Sequence, residues 1–452
     1  MDQSLRIILD RFEKNGDLHH VDVPVDPVYE LGAVLLHKGH EPGLVFRNVL
    51  NHTIPVVGNL FNTYSRIALG LGVDIDHLQS ACINAIENGI PPEMVAEGPV
   101  QQVIHEAPLD IPALLPVPTW FEQEQGPYIT AGVIIAKDIE TGKRNVSIAR
   151  LRVEGGNILL AGIAPTHHLH VLMQKAQAQN RHQEIAVVIG NHTAVLIASQ
   201  MYVDLGHDEY DIAGRLLGEP LRLVKCKNID LEVPAEAEIV LEGTLHADER
   251  VEEGPVSEFH GFYEHYGPGN RVHIQTITHR RDPIYQAILP GYAPEHLLLG
   301  GTSIGATTCL ALQKKIPSVK HVLITEGGMG RVHAIISMHQ PKAGEGKRAI
   351  MLAMAHTNLL KLVIVVDDDI DPNDWTQVEW AMAARMRAEE DIMIIPGVKA
   401  DRCDPQEKDL MVTKVGIVAT RRPDHATEPG KFVPARAPEH VLRKVRENLS
   451  QY

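Results

Sequence analysis

The sequence predicts an α/β protein of the α+β kind in three parts: an N-terminal α/β unit over residues 1–105, a strand-rich middle over 106–304, and a C-terminal α/β layer domain over 305–452 ending in a helix. Three observations carry this. Helix and strand patterns mix at the N-terminal end and alternate again after residue 305, strand patterns dominate between, and a proline-rich passage, Glu106–Trp120, interrupts regular structure at the first boundary. At 452 residues the chain exceeds the usual size of one domain.

Leu5, Ile8, Leu9 and Phe12 recur at helical spacing after a capping Asp2, and Asn15-Gly16 ends the run. A second helix is expected over Pro27–Lys38, strands at G-L-V-F-R-N-V and I-P-V-V-G-N-L, and a helix whose face carries Ile75, Leu78, Cys82, Ala85 and Ile86. The middle reads as a hairpin-rich sheet: Y-I-T-A-G-V-I-I-A, N-V-S-I-A-R-L-R-V, a Gly155-Gly156-Asn157 turn and I-L-L-A-G-I. Helices near His168–Ala178, Ala194 and Tyr210 interrupt it before strands resume at L-R-L-V-K-C, E-I-V-L-E-G-T-L and R-V-H-I-Q-T-I-T. After residue 305 helices are expected at Ala306–Lys315, Lys347–Ala355 and Trp375–Ala388, between strands V-K-H-V-L-I-T, H-A-I-I-S-M, L-V-I-V-V-D and I-M-I-I-P. A Pro/Gly-rich stretch leads to a last amphipathic helix, A-P-E-H-V-L-R-K-V-R-E-N-L, suited to docking on another subunit.

Composition narrows the partners. The net charge is −16, with no lysine or arginine run, which excludes a nucleic-acid or anionic-membrane surface and leaves a small molecule. Cys82, Cys226, Cys309 and Cys403 form no C-x-x-C pair, so neither a zinc knuckle nor a disulfide framework is expected. With no signal-like start and no bilayer-length apolar run, the sequence predicts a soluble cytoplasmic protein.

The stretch that most invites chemistry is Val251–Gly261, V-E-E-G-P-V-S-E-F-H-G. Glu253 and Glu258, five residues apart, would face opposite ways on an unbroken strand, but Gly254-Pro255 can turn both carboxylates to one place. Alone, the segment reads first as a solvated loop with ordinary surface charges. Asn145, His168 and Glu209 add oxygen and nitrogen donors suited to a hard or borderline divalent ion, although His167 and His170 are neighbours that decorate the same helix start.

Other patterns compete. Gly301-Thr302-Ser303-Ile304-Gly305 matches the G-x-S-x-G nucleophile elbow and makes a serine hydrolase acting through Ser303 the alternative reading. Asp367, Asp369 and Asp371 begin like a calcium loop, but Pro372 and Val378 stand where glycine and glutamate are needed, so these acids are expected to end a strand and cap the next helix. Gly344-Glu345-Gly346-Lys347 lacks the first P-loop glycine and the following hydroxyl, leaving only a generic phosphate cradle.

Together the ordered motifs across residues 128–395 resemble the UbiD family of decarboxylases, which use prenylated flavin mononucleotide. N-V-S-I-A-R resembles the family's N-x-S-I-A-R, P-T-H-H-L its P-x-H segment, and E-G-P-V-S-E its E-G-P-x-x-E. The resemblance implies a split β-barrel around the flavin, a Glu-Arg-Glu triad of Glu253, Arg150 and Glu258, and Mn2+ or Mg2+ on Asn145, His168 and Glu209. It further implies K+ on Ala198, Ser199, Met201 and Glu209, and a flavin lined by Thr130, Ser147, Ile148, Ala149, Arg150, His167, Ser199 and Met201, its phosphate held by Lys347. Gly346 stands where the family's lysine segment has alanine, and Val146 where some members have tryptophan. The implied reaction is reversible, non-oxidative decarboxylation of an aromatic, heteroaromatic or α,β-unsaturated carboxylic acid. The implied partners are a flavin prenyltransferase as cofactor supplier and further copies of the chain in a homodimer or homohexamer. A modified flavin suits this chemistry because loss of carbon dioxide leaves a carbanion that side chains cannot stabilise.

Overall fold

The computed structural model describes residues 2–422 and 435–452. The first helix, Leu5–Asn15, buries Leu5, Ile8 and Phe12 and stops at Gly16 in the left-handed conformation (φ 76°). Ser4 occupies its cap position, and Asp2 accepts from the Ser4 amide at 2.9 Å instead of capping the helix itself. The N-terminal sheet runs Leu18–Val21, Gly43–Phe46, Val56–Gly58, Tyr285–Gln286. Its last strand arrives from beyond residue 280 and pairs in parallel with Val56 and Val57, so the N-terminal unit is completed by distant chain.

The middle holds a nine-stranded antiparallel sheet. Its order is Tyr128–Ile129, Leu151–Gly155, Ile158–Ala161, Pro268–His279, Ile239–Glu252, Gln183–Ile189, Val133–Lys137, Arg144–Ile148, with Val103–Glu106 added alongside Pro268–His279. The strands Arg144–Ile148 and Leu151–Gly155 stand six places apart in that order, yet only Ala149 and Arg150 join them. Laid flat, six intervals would span about 29 Å, whereas the connection reaches only about 10 Å. The sheet must therefore curl into a half-barrel, and Arg150 sits where its ends approach. Both faces are covered: Val133, Ile135, Ala186 and Val188 enter one apolar cluster, and Ile134, Ala136, Ile185 and Val187 the other. This is why these strands read as near-continuous apolar runs.

The C-terminal sheet runs Val319–Ile324, His333–Met338, Leu362–Asp367, Met411–Ala419, Ile392–Lys399, parallel through its middle and antiparallel at both edges. The strand Met411–Ala419 is absent from the sequence reading. Lys414 interrupts its apolar run, and that lysine is 1 % exposed, its Nζ donating to the Asn358 carbonyl at 2.8 Å.

The helix expected at Ala306–Lys315 begins twelve residues earlier, as Pro294–Gln313, and is buried almost throughout. It packs on helix Leu78–Glu87 and strand Val319–Ile324, so the boundary placed at residue 304 falls inside a continuous element. The caps also differ from expectation: Asp374, not Asp371, caps helix Trp375–Arg385, while Asp367 and Asp369 pair with Arg385 at 2.7 and 2.8 Å. The final helix, Glu439–Glu447, buries no residue, and the Pro/Gly-rich stretch before it lies largely outside the described residues. Among the described residues no helix is long and apolar enough to cross a membrane.

Candidate active site

The two-residue link at the half-barrel's seam delivers Arg150 to both predicted carboxylates. Its Nε donates to Glu253 Oε1 at 3.2 Å and its Nη1 to Glu258 Oε1 at 2.7 Å. Glu253 follows the strand Ile239–Glu252. Gly254, at φ 84°, then turns the chain into the short strand Pro255–Ser257, and Glu258 follows it. Close approach needs a second glycine: a Cβ at Gly162 would lie 2.2 Å from Glu253 Oε2. Glu253 is 1 % exposed, and its Oε2 is buried without a hydrogen-bond partner.

Charge sets the protonation here. Burial pushes the Glu258 carboxyl up, but the charge and hydrogen bond of Arg150 outweigh it and hold it below its ordinary value. Arg150 lies 5.3 Å from the centroid of the Tyr266 ring, whose hydroxyl meets Cys403 Sγ at 3.1 Å. Two groups that the sequence reading missed lie within electrostatic reach of Glu258. Burial holds His296 neutral, down at about 4, with its Nδ1 on the Gly291 carbonyl at 2.9 Å. Arg331, whose charge burial disfavours, forms no ion pair among the described residues. Neither belongs to a motif that the sequence displays. Glu124, also missed, accepts from the Ser257 amide at 3.1 Å and hydroxyl at 2.8 Å, bracing the turn between the two acids. His260, left unassigned by the sequence, is buried, and its Nδ1 accepts from the Phe262 amide at 3.2 Å in the turn after Glu258.

The predicted metal donors are partly gathered. Asn145 Nδ2 donates to Glu209 Oε1 at 3.0 Å and the Val146 amide to Glu209 Oε2 at 2.7 Å, while Asn145 Oδ1 is buried and unpartnered. Burial drives the Glu209 carboxyl up to about 8. An orphaned amide oxygen beside a carboxyl that burial keeps neutral fits a divalent cation, which would restore the charge lost. His168 is the first residue of helix His168–Ala178 and is half-buried; it shows no hydrogen bond to Asn145 or Glu209. His167 is committed elsewhere, its Nδ1 accepting from the Leu169 amide at 3.4 Å and its ring bonded to the Ile148 backbone.

Glu209 also yields a pH prediction. Its folded value, about 8, lies above the ordinary 4.5, so in metal-free protein its contribution to stability is full below pH 4.5 and is lost as pH rises through about 8. Metal-free Glu209→Gln is therefore expected to melt with a flatter pH dependence across that window than wild type, and calorimetry should detect proton release when wild type takes up a divalent ion near pH 7. Parallel melting curves would contradict the assignment.

The flavin-lining residues divide. Ser147 ends up buried with a free hydroxyl, Ile148 and Ala149 lead into Arg150, and Thr130 is spent on the Ile288 carbonyl at 2.6 Å. Ala198 is the last residue of helix Thr193–Ala198, and Ser199 and Met201 lie just past its end; the helix packs on the one that begins with Glu209, and Ser199 Oγ donates to Leu196 O at 2.8 Å. Lys347 is exposed near the start of helix Glu345–His356, beyond the far end of strand His333–Met338, whereas Arg331 precedes that strand's near end. The strand alone separates the two ends by about 17 Å. The lysine at the near edge is Lys361, whose amide donates to Val332 O and whose Nζ reaches Asp404 at 2.7 Å. Ser303 is ruled out as a nucleophile: it is fully buried inside a continuous helix and its Oγ meets only the carbonyls of Ile197 and Leu299. An elbow needs a sharp exposed turn.

Models described as 3-octaprenyl-4-hydroxybenzoate carboxy-lyase match three successive stretches: the N-terminal domain over 9–84, the Rift-related domain over 93–293 and the C-terminal domain over 298–419. Anhydromevalonate phosphate decarboxylase of Methanothermobacter thermautotrophicus is 36 % identical over 405 residues, 88 % of this chain and 93 % of its own. The UbiD-class enzyme HmfF from Pelotomaculum thermopropionicum, solved with FMN, superposes with a TM-score of 0.94 at 38 % identity, covering 99 % of this chain and 100 % of its own. An evolved dimeric form of the same enzyme, solved with prFMN, gives 0.90 at 37 % identity over 100 % and 98 %.

Proposed function

The chain belongs to the UbiD family of carboxy-lyases, and from that premise we propose that it decarboxylates an aromatic, heteroaromatic or α,β-unsaturated carboxylic acid without net oxidation, with prenylated FMN as cofactor and Arg150, Glu253 and Glu258 at the reacting centre. The observation that carries the reading is the single arginine held between two carboxylates at the seam of the half-barrel. When bound, the modified flavin supplies an electron sink for the carbanion left by carbon dioxide.

The chain's own residues do the rest. Arg150 fixes the separation of the two acids with its planar fork. Glu253, kept from water, holds Arg150 in place. Glu258 is the more exposed acid and is ionised at rest, so it must take up a proton before delivering one to the carbon that carried the carboxylate. Arg331 is a cation without an acidic partner among the described residues, which suits it to receive an anionic group of the substrate, and neutral His296 offers Nε2 as an acceptor. A phosphorylated acid such as that named for the Methanothermobacter relative is a candidate on these grounds.

Asn145, Glu209 and His168 would hold Mn2+ or Mg2+ near the cofactor phosphate, with K+ on the Ala198, Ser199 and Met201 stretch. The hydrogen bond that His167 Nδ1 accepts from the Leu169 amide supports His168 as the ligand. Lys361 replaces Lys347 as the lysine at the correct edge. Further copies of the chain, as in dimeric HmfF, would assemble the working oligomer.

Protein co-produced with a flavin prenyltransferase is expected to absorb in the near-ultraviolet and visible, to retain a divalent metal, and to release carbon dioxide from at least one member of a panel of unsaturated and aromatic acids. A colourless, metal-free product would overturn the reading. Arg331→Met is expected to raise KM at least tenfold with kcat less affected, since it removes uniform binding.

A further inference from the structure

After a first register shift between Glu242 and Gly243, the strand Ile239–Glu252 pairs with Pro268–His279 as far as Leu245↔Val272 and resumes only at Arg250↔Asn270. Four residues, His246–Glu249, therefore bulge out opposite the single Arg271. Asn270 fixes the bulge, its Nδ2 donating to the carbonyls of His246 at 2.9 Å and Ala247 at 3.2 Å. The bulge aims its polar side chains at two further histidines. His246 stacks on His182, with ring centroids 3.7 Å apart, and faces His273 at 4.3 Å. Glu249 bridges two of them, Oε1 lying 3.0 Å from His246 Nδ1 and Oε2 2.9 Å from His273 Nε2.

We propose that this bulge is a second metal site, taking a borderline divalent cation of the Zn2+ type on His246 Nδ1, His273 Nε2 and the Glu249 carboxylate, with water in the fourth position. Two imidazoles and a carboxylate are a donor set that zinc favours over magnesium or calcium. Metal–ligand bonds of about 2.1 Å make the edge of a tetrahedron about 3.4 Å, so the observed separations need widen by only about half an ångström. The donor atoms already lie within 4.8 Å of one another. The tautomer is prepared as well: His246 Nε2 stands 3.0 Å from Thr244 Oγ1, and a proton placed there leaves the Nδ1 lone pair for the metal. Three mutually packed imidazoles would repel one another as cations, whereas one ion shared by neutral rings removes that conflict. His182 and Asp248, 3.8 Å apart, lie just outside as a second rank. The bulge ends four residues before Glu253, so the ion would pin the strand that carries the buried acid. Bulges beside functional sites commonly aim side chains in this way.

The test compares the full-length wild type with Glu249→Gln and with Glu249→Gln/His273→Gln. Each protein is equilibrated with zinc chloride, desalted, and its metal counted by mass spectrometry. Zinc taken up at Asn145, His168 and Glu209 is common to all three and cancels. Wild type is expected to retain one more equivalent per chain than the double variant, and zinc should raise the melting temperature of wild type further. Crystals of wild type soaked in zinc should show an anomalous peak bonded to His246, His273 and Glu249, a measurement that does not depend on any variant folding. Equal zinc content in wild type and variants, or no peak at the bulge, overturns the proposal.

Discussion

Glu258→Gln is expected to lose about 10²- to 10⁴-fold in turnover, the usual contribution of a positioned general acid, while keeping its flavin absorbance and its fold. The amide fills the same space and can still meet Arg150, whose hydrogen bond to Glu258 Oε1 is the shorter of its two at 2.7 Å. What it cannot do is carry a transferable proton. The site is arranged so that this carboxyl is ionised at rest, since Arg150 outweighs burial. Turnover in wild type should therefore depend on reloading the acid, and a slower rate in deuterated solvent should disappear with the residual activity of the variant. Decarboxylation by Glu258→Gln at the wild-type rate would show that another group delivers the proton.

Arg150→Met should damage both stability and chemistry. It removes the only hydrogen-bond donor to the Glu253 carboxylate among the described contacts, leaving a side chain that is 1 % exposed without its ion-pair partner. Breaking such a pair from one side costs about 3–5 kcal/mol. The double variant Arg150→Met/Glu253→Gln removes the stranded charge and is expected to recover most of the melting temperature while remaining inactive. That split separates a positioning role from a merely structural one. If the double variant regained turnover, the arginine would not belong to the reacting centre.

Much of this site was legible because its residues come in short runs with chemical character. N-V-S-I-A-R and E-G-P-V-S-E each place a charged group at a strand end, and Gly254 supplies the turn that sends Glu253 and Glu258 to one guanidinium. Arg331 and His296 were not legible, because nothing local distinguishes a buried cation at a loop end from a solvated one. Ser303 failed in the opposite direction: its local pattern matched an elbow, and only the burial of helix Pro294–Gln313 on all sides shows that no substrate reaches it. The place of Lys347 was a matter of topology: the start of a helix after a strand lies beyond that strand's far end, and only the fold shows that Arg331, at the opposite end, stands over the Phe259 ring.

By itself the sequence determined the strand-rich middle between two α/β regions, because hydrophobic period and turn glycines act over a few residues; the acid–arginine cluster and the asparagine–glutamate pair were implied by the resemblance of short motifs to the UbiD family. Tertiary structure alone decided that the sheet curls until Arg150 bridges its ends. It also decided that Glu253 is sealed from water while Glu258 is not, and that three histidines from separate stretches of chain meet at one bulge. These outcomes depend on pairings between residues a hundred or more positions apart, or on a register shift within one strand pair, and no local pattern of side chains encodes either.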